Sequence, residues 1–283
     1  MNIKLYKTPG EFLEDNRAFL QDHEAACQLN LGNANANLNE PCHPGLLFGR
    51  CEEDGRSVLL FGNTLPWNLC LNAIPGDVAS LSAAVLLAEY LLRENIEITG
   101  INASKTLCNA FFSAYNRPYR VRAAMDIMVQ RKLIEPPAVS GKVRKAALSD
   151  LETAANWACA FQKEALHEDA DPDEMREKFR DTIQERKVYL METPDGTLVS
   201  MAAATSRSMP HGVGISWVYT PPEYRSKGYC QNTVAAICRE KLSAGCDYCT
   251  LFVDKTNPIS NRVYQKIGFE IIEDNYDCRL LKE

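Results

Sequence analysis

The stretch that most constrains the fold runs from Trp217 to Phe269, and its centre is the loop from Arg225 to Cys230. A β-branched and aromatic run, Ile215 to Thr220, stops at Pro221-Pro222, crosses the basic loop Arg225-Ser226-Lys227-Gly228-Tyr229-Cys230 and enters a long amphipathic segment. The change of hydrophobic period across the prolines predicts strand, loop, helix. That order gathers the free amides of a helix's first turn and the positive end of its dipole at one place, where an anion is favoured. Gly228 allows close backbone approach, and Arg225 and Lys227 add charge. A surface loop with two solvated cations would read the same way in isolation, so the downstream chain decides between the two.

Downstream come a predicted strand, Tyr248–Val253, then Asn257-Pro258-Ile259-Ser260-Asn261-Arg262-Val263-Tyr264, and then Gly268-Phe269. Asn257 before Pro258 is a helix start in its own right, an N-cap followed by proline at the first helical position. Taken together, the order resembles the GNAT superfamily of acyl-CoA N-acyltransferases. The signature of that family is a Q/R-x-x-G-x-G/A loop followed, one strand later, by a helix bearing Asn and Tyr that ends at Gly-Phe. The resemblance covers about residues 141–283.

The resemblance implies acetyl-CoA as cofactor. In it the amides from Ser226 through Lys227, Gly228 and Tyr229 to Cys230 hold the pyrophosphate, with Arg225 alongside. The strand end at Val218, Tyr219 and Thr220 pairs with pantetheine, and Asn257 and Asn261 touch the same arm. Tyr264 would protonate the leaving thiolate as general acid. Its bland alternative is core packing beside Val263 and Ile267. Cys230 departs from the family's Gly or Ala. Some members carry a glutamate on the strand that here reads Val213-Gly214-Ile215-Ser216-Trp217, and none is present, so the base is a water relay or a carboxylate from elsewhere.

Predicted elements from 143 onward run strand, two helices, three strands, helix, strand, helix, two strands, the order of a complete GNAT domain; its last strand is Tyr276–Leu281. The first half repeats nearly the same order, with helices expected over Gly10–Leu29, Val78–Glu94 and Ser104–Tyr115 and a loop over Asn30–Pro44. At the equivalent of the basic loop it has Pro75-Gly76-Asp77-Val78. Opposite Asn261-Arg262-Val263-Tyr264 it has Asn109-Ala110-Phe111-Phe112, which lacks a proton donor. The expected fold class is α+β (mixed α/β): two tandem GNAT-like domains, each a mostly antiparallel mixed sheet flanked by helices. The expected boundaries are a degenerate copy at 1–135, a Pro-rich linker at 136–142 and a catalytic domain at 143–283.

Composition narrows the partners. Residues 1–140 carry 15 acidic and 12 basic side chains and residues 141–283 carry 22 and 19, so neither half has the basic excess of a nucleic-acid or anionic-membrane binder. Without an apolar leader or a long apolar run, and with 11 cysteines in no framework spacing, free thiols in a cytoplasmic setting are expected. His23, His43 and His211 have no ligand spacing, and no metal is expected.

Glu164 to Glu174 holds six carboxylates in eleven residues, with no Lys or Arg. The resemblance places this run at the acceptor mouth, so Glu164, His167 and Glu168 are candidate contacts for a small cationic primary amine; a solvated charged face is the alternative. The expected function is acetyl-CoA-dependent N-acetylation by direct attack on the thioester. Two alternatives stay open: a non-catalytic acyl-CoA-binding regulatory or scaffold module, and a transferase using another acyl donor such as aminoacyl-tRNA. Oligomeric state is not legible in the sequence.

Overall fold

The computed structural model describes residues 1–166, 168–205 and 209–281. The elements in chain order begin with β1 (Asn2–Leu5), α1 (Pro9–Asp15), α2 (Arg17–Asp22), α3 (Gln28–Ala36), β2 (Leu46–Glu53), β3 (Arg56–Thr64) and β4 (Leu69–Ala73). Next come α4 (Ala79–Arg93), β5 (Gly100–Ala103), α5 (Lys105–Tyr115) and β6 (Tyr119–Gln130). The second half supplies β7 (Lys142–Lys145), α6 (Leu151–Leu166), α7 (Pro172–Gln184), β8 (Val188–Glu192), β9 (Leu198–Thr205) and β10 (Gly212–Tyr219). It ends with α8 (Tyr229–Ser243), β11 (Tyr248–Asp254), α9 (Pro258–Lys266) and β12 (Glu270–Leu280). Of the described residues, one compact unit takes 1–127, 209–210 and 271–281, and a second takes the remainder.

In the second unit β7, β8, β9 and β10 are joined antiparallel, and β10 pairs with β11 in parallel. Alternation along the strands sorts side chains onto two cores. On β9, Met201 and Ala203 face the core formed with α6 and α7, whereas Ala202 and Ala204 face the one formed with α8 and α9. Helix α8 enters its core through Val234, Ile237 and Cys238, and α6 enters the other through Ala154, Ala155 and Ala158, small residues that let it lie close to the sheet.

The first unit repeats the plan: β1 to β4 are antiparallel neighbours and β4 pairs with β5 in parallel. The helix expected over Gly10–Leu29 is broken into α1 and α2, and the expected loop at Asn30 to Pro44 instead contains much of α3. The Asn-rich α3 is held by hydrogen bonds to the sheet: Asn30 is fully buried and donates to Asn72 Oδ1 at 2.8 Å, and Asn72 donates back to the Ala26 carbonyl at 3.0 Å. Helix propensity undervalues such a segment because its partners lie some forty residues away in sequence.

The sequence places the final strand, Tyr276 to Leu281, in the C-terminal domain; in the structure β12 lies in the first unit, between β5 and β6. Tyr276 to Arg279 pair antiparallel with Ala103 to Gly100. Cys278 is buried in the first unit's core, with Tyr276 and Leu280 packed beside it. At the crossing a Cβ on Gly100 would stand 2.0 Å from the Cys278 carbonyl oxygen, so only glycine permits this pairing. Asn68 adds a hydrogen bond to Asp277 Oδ1 at 2.9 Å, and Arg122 forms an ion pair with the same carboxylate. Conversely, residues 128–130 of β6 belong to the second unit, where Thr250 Oγ1 donates to the Met128 carbonyl at 2.9 Å.

Candidate functional site

Helix α8 begins without a cap. Gly228, at φ 81° in the left-handed region, precedes it with no side-chain acceptor, and the amides of Tyr229, Cys230 and Gln231 have no partner among the described residues. Three other helices fill this position: Ser104 caps α5, Asp171 caps α7 and Asn257 caps α9. Three bare amides on the positive end of a 15-residue helix form an anion cradle.

The strands beside the cradle separate. β10 and β11 pair only from Gly212 with Tyr248 to Gly214 with Thr250, and beyond that each continues without the other. On its other edge β10 bulges between Ser216 and Tyr219, with Trp217 at φ 54°. Ser216 Oγ is buried without a partner among the described residues, and so is Asn261 Oδ1 on α9. Asn261 Nδ2 donates to the carbonyls of Asp254 and Asn257, both at 2.9 Å, which leaves its oxygen as a ready acceptor. Asn257 is the α9 cap, accepting from the Ser260 amide at 3.0 Å. The separated strands, the bare amides and the orphaned oxygens fit an extended ligand with amide groups and an anionic end.

Tyr264, on α9, is buried in the α8/α9 core, with its ring 5.9 Å from that of Phe269 in an edge-on arrangement. Its hydroxyl has no hydrogen-bond partner among the described residues, and burial, reinforced by the Cys230 thiol, raises its pKa well above the usual phenol value. It therefore holds its proton at neutral pH and can donate it. Cys230 is half-buried, and burial pushes its thiol up to about 12, so it is an inert occupant of the loop.

The other predicted residues are placed as follows. Arg225 is engaged: Nη2 donates to Glu164 Oε2 at 2.6 Å, Nε donates to the Thr220 carbonyl at 2.9 Å, and the guanidinium lies 5.9 Å from the Tyr219 ring centre. Glu164 also accepts from Tyr219 Oη at 3.1 Å, so this carboxylate holds the loop's arginine. Thr220 Oγ1 bonds Ser200 Oγ at 2.9 Å, and Val218 is half-buried within the bulge. Lys227 extends over the Tyr224 ring at 5.6 Å, and Ser226, at φ 63°, forms the turn ahead of Gly228. Of the acidic run, Asp171 caps α7, Asp173 pairs with Arg176, and Asp169 lies 3.6 Å from Lys163, while Glu168 is exposed. His167 lies outside the described residues.

Sequence reasoning missed an aromatic group on the α6, α7 and β10 side. Trp217 packs 5.5 Å from Phe161 and 5.4 Å from Phe179, Trp157 lies 6.2 Å from Tyr219, and Lys178 Nζ is 4.7 Å from the Trp217 ring centre. The only hint was the bulky pair Trp217 and Tyr219 flanking a predicted strand end. Also missed was the Pro-rich segment's attachment to the second unit. Asn232 Nδ2 donates to the Pro137 carbonyl at 3.1 Å, the Ile134 amide donates to the Ile267 carbonyl at 3.1 Å, and Glu135 pairs with Arg239. Val139 Cγ1 lies 3.0 Å from where a Gly228 Cβ would stand, so this segment walls one side of the cradle.

Among the described residues no cluster of three metal-ligating side chains occurs, and no helix is long and apolar enough to cross a membrane. The acetyltransferase (GNAT) family matches residues 152–269. Among curated proteins, none matches the sequence. A GNAT-family acetyltransferase from Colwellia psychrerythraea superposes at TM-score 0.56 with 10% identity, covering 100% of both chains. A GCN5-related N-acetyltransferase from Sphaerobacter thermophilus gives 0.58 with 13% identity over 100% of this chain and 96% of that one. A tandem GNAT protein from the clavulanic acid biosynthesis pathway gives 0.51 with 13% identity, covering 98% and 97% of the two chains. Residues 152–269 thus form a domain of the acetyltransferase (GNAT) family, and the fold of the chain is that of a tandem GNAT protein.

Proposed function

We propose that this protein is an acetyl-CoA-dependent N-acetyltransferase whose machinery lies wholly in the second unit, and that it acts on a small primary amine arriving as an ammonium ion. The observation that carries the reading is the pairing of an uncapped α8 N-terminus with a buried, unpartnered Tyr264 hydroxyl. The amides of Tyr229, Cys230 and Gln231 would hold the pyrophosphate, and Asn261 Oδ1 and the edge of β10 that is left without β11 beyond Gly214 would hold the pantetheine amides. When bound, the coenzyme supplies an acetyl group activated as a thioester.

The chain's own residues do the rest. The separated strands admit the acyl arm between them and leave backbone N–H groups free to stabilise a carbonyl oxygen that gains charge. Tyr264 keeps its proton until a thiolate leaves, then donates it. The described part of β10 carries no carboxylate, so the ammonium proton departs through water. Trp157 and Phe161 offer π faces to an incoming cation. Glu164 is a positioning residue for Arg225 and the loop. Arg225, spent on Glu164 and Thr220, shapes the cradle without facing the phosphate as a free charge. The first unit, with Phe112 where Tyr264 stands in the second, keeps the fold without the chemistry.

Thiol release from acetyl-CoA across a panel of primary amines tests this. Tyr264→Phe is expected to lower kcat by about 10²–10³ with coenzyme affinity unchanged within a few-fold. Tight coenzyme binding without turnover on any amine would replace the enzyme reading with the binding-module one.

A further inference from the structure

We propose that the first unit carries a second ligand site, a small pocket at the carboxyl ends of β4 and β5 that takes an ammonium ion with a compact apolar body. The cavity measures about 180 Å³ and is lined by Ile74, Val78, Leu81 and Leu107, with Asp77 and Glu273 supplying the charge. That volume lies below the usual range for drug-sized ligands and suits a molecule with a single ring or a short chain.

The polar groups at its rim point to a cation. Two helices start here, and in contrast to α8 most of their first-turn amides are already satisfied by protein oxygens. Asp77 Oδ1 accepts from the Ala79 amide at 3.1 Å, Ser104 Oγ from the Leu107 amide at 3.5 Å, and Asp274 Oδ1 from the Lys105 amide at 3.1 Å. No bare donor array is left for a phosphate. The second oxygen of Asp77 is held by Arg56 at 2.8 Å. Glu273, on β12, makes no hydrogen bond and no ion pair among the described residues. A half-buried carboxylate without a partner beside apolar walls is an acceptor awaiting a donor.

The charged and titratable groups around Glu273 are Asp274 beside it on β12, Cys27 ahead of α3, and the Arg56-paired Asp77 across the cavity. None donates a positive charge to it. Burial, with Asp274 adding to it, raises the Glu273 carboxyl to about 7. A bound ammonium ion would favour the ionised form, so binding should tighten as pH rises through that value.

The test uses the full chain, with benzylamine as probe, benzyl alcohol as its neutral isostere and coenzyme A as the anionic control. Binding is read from the NMR shifts of the Gly76 and Val78 amides, which report this cavity and not the second unit. Benzylamine is expected to shift them saturably, with affinity rising about tenfold between about pH 6 and about pH 8. Glu273→Gln should weaken binding about tenfold or more at the higher pH. This variant removes a carboxylate whose ionisation is disfavoured by folding, so at neutral pH it should be at least as stable as the parent. Benzyl alcohol should bind weakly, and coenzyme A should move the amides of Tyr229 to Gln231 while leaving Gly76 in place. The proposal is overturned if the Gly76 and Val78 amides do not move, if Glu273→Gln binds benzylamine equally well, if the alcohol matches the amine, or if coenzyme A is what occupies this cavity. Failure of acetyl transfer would not touch these readouts, so the two proposals stand or fall separately.

Discussion

Asp150 shows how one carboxylate fixes the start of a helix that frames the site. Its Oδ2 accepts from the Ala147 amide at 2.8 Å and from Arg144 Nη1 at 2.7 Å, and its Oδ1 accepts from Arg144 Nη2 at 3.0 Å. The Arg144 guanidinium holds the Asp150 carboxyl below the usual range, against the opposing effect of burial and with help from the Ala147 amide. Because the folded value is depressed, the stability it contributes is complete above about pH 4 and is lost as pH falls through the lowered value. Asp150→Asn is expected to cost about 2–3 kcal/mol at neutral pH, with the penalty shrinking below about pH 4, as denaturant titrations across pH would show. At this scale much was legible. Asn257 before Pro258 reads as a cap from local chemistry alone, and it is one. The engagement of Arg225 by Glu164 could not be read, because the two residues are sixty-one positions apart and meet only when α6 lies over the end of β10.

Among the elements, α8 and β5 each depend on a glycine for a different reason. Gly228 is left-handed at φ 81° with Val139 at its side, so Gly228→Ala should cost about 1–2 kcal/mol in backbone strain and press on the cradle. Calorimetry should show a Tm lower by about 3–6 °C, and the KM for acetyl-CoA should rise. Gly100 has space on neither face: its Cβ would meet the Cys278 carbonyl at 2.0 Å and Asn68 Oδ1 at 2.9 Å. Gly100→Ala should therefore displace β12, costing about 3 kcal/mol or more, with hydrogen-exchange protection lost at β5 first. Strand alternation and turn chemistry predicted most elements because those signals are local. Most of the Asn-rich α3 reads as loop from sequence because its stability comes from amide pairing with β4, a long-range contact that propensity does not contain.

For the whole molecule, the recurrence of the strand plan in both halves was legible, and the exchange at its ends was not. The alternation of Tyr276, Cys278 and Leu280 announces a strand without saying which β-sheet receives it. Its partners, Gly100 to Ala103, lie more than 170 residues earlier. A chain truncated after Phe269 should lose protection and gain protease-sensitive sites throughout residues 1–127, while α8 and β11 stay protected; equal loss in both units would contradict this assignment. The same connectivity sets an order of events during translation. Domains ordinarily fold as they emerge, N-terminal first. Here the unit that is synthesised first lacks an interior strand until residues beyond 270 leave the ribosome, whereas the second unit has all its strands by Asp254. The nascent protein thus completes its second unit first, and holds an unfinished β5 edge, with its unpaired amides and carbonyls, for as long as the rest takes to be made.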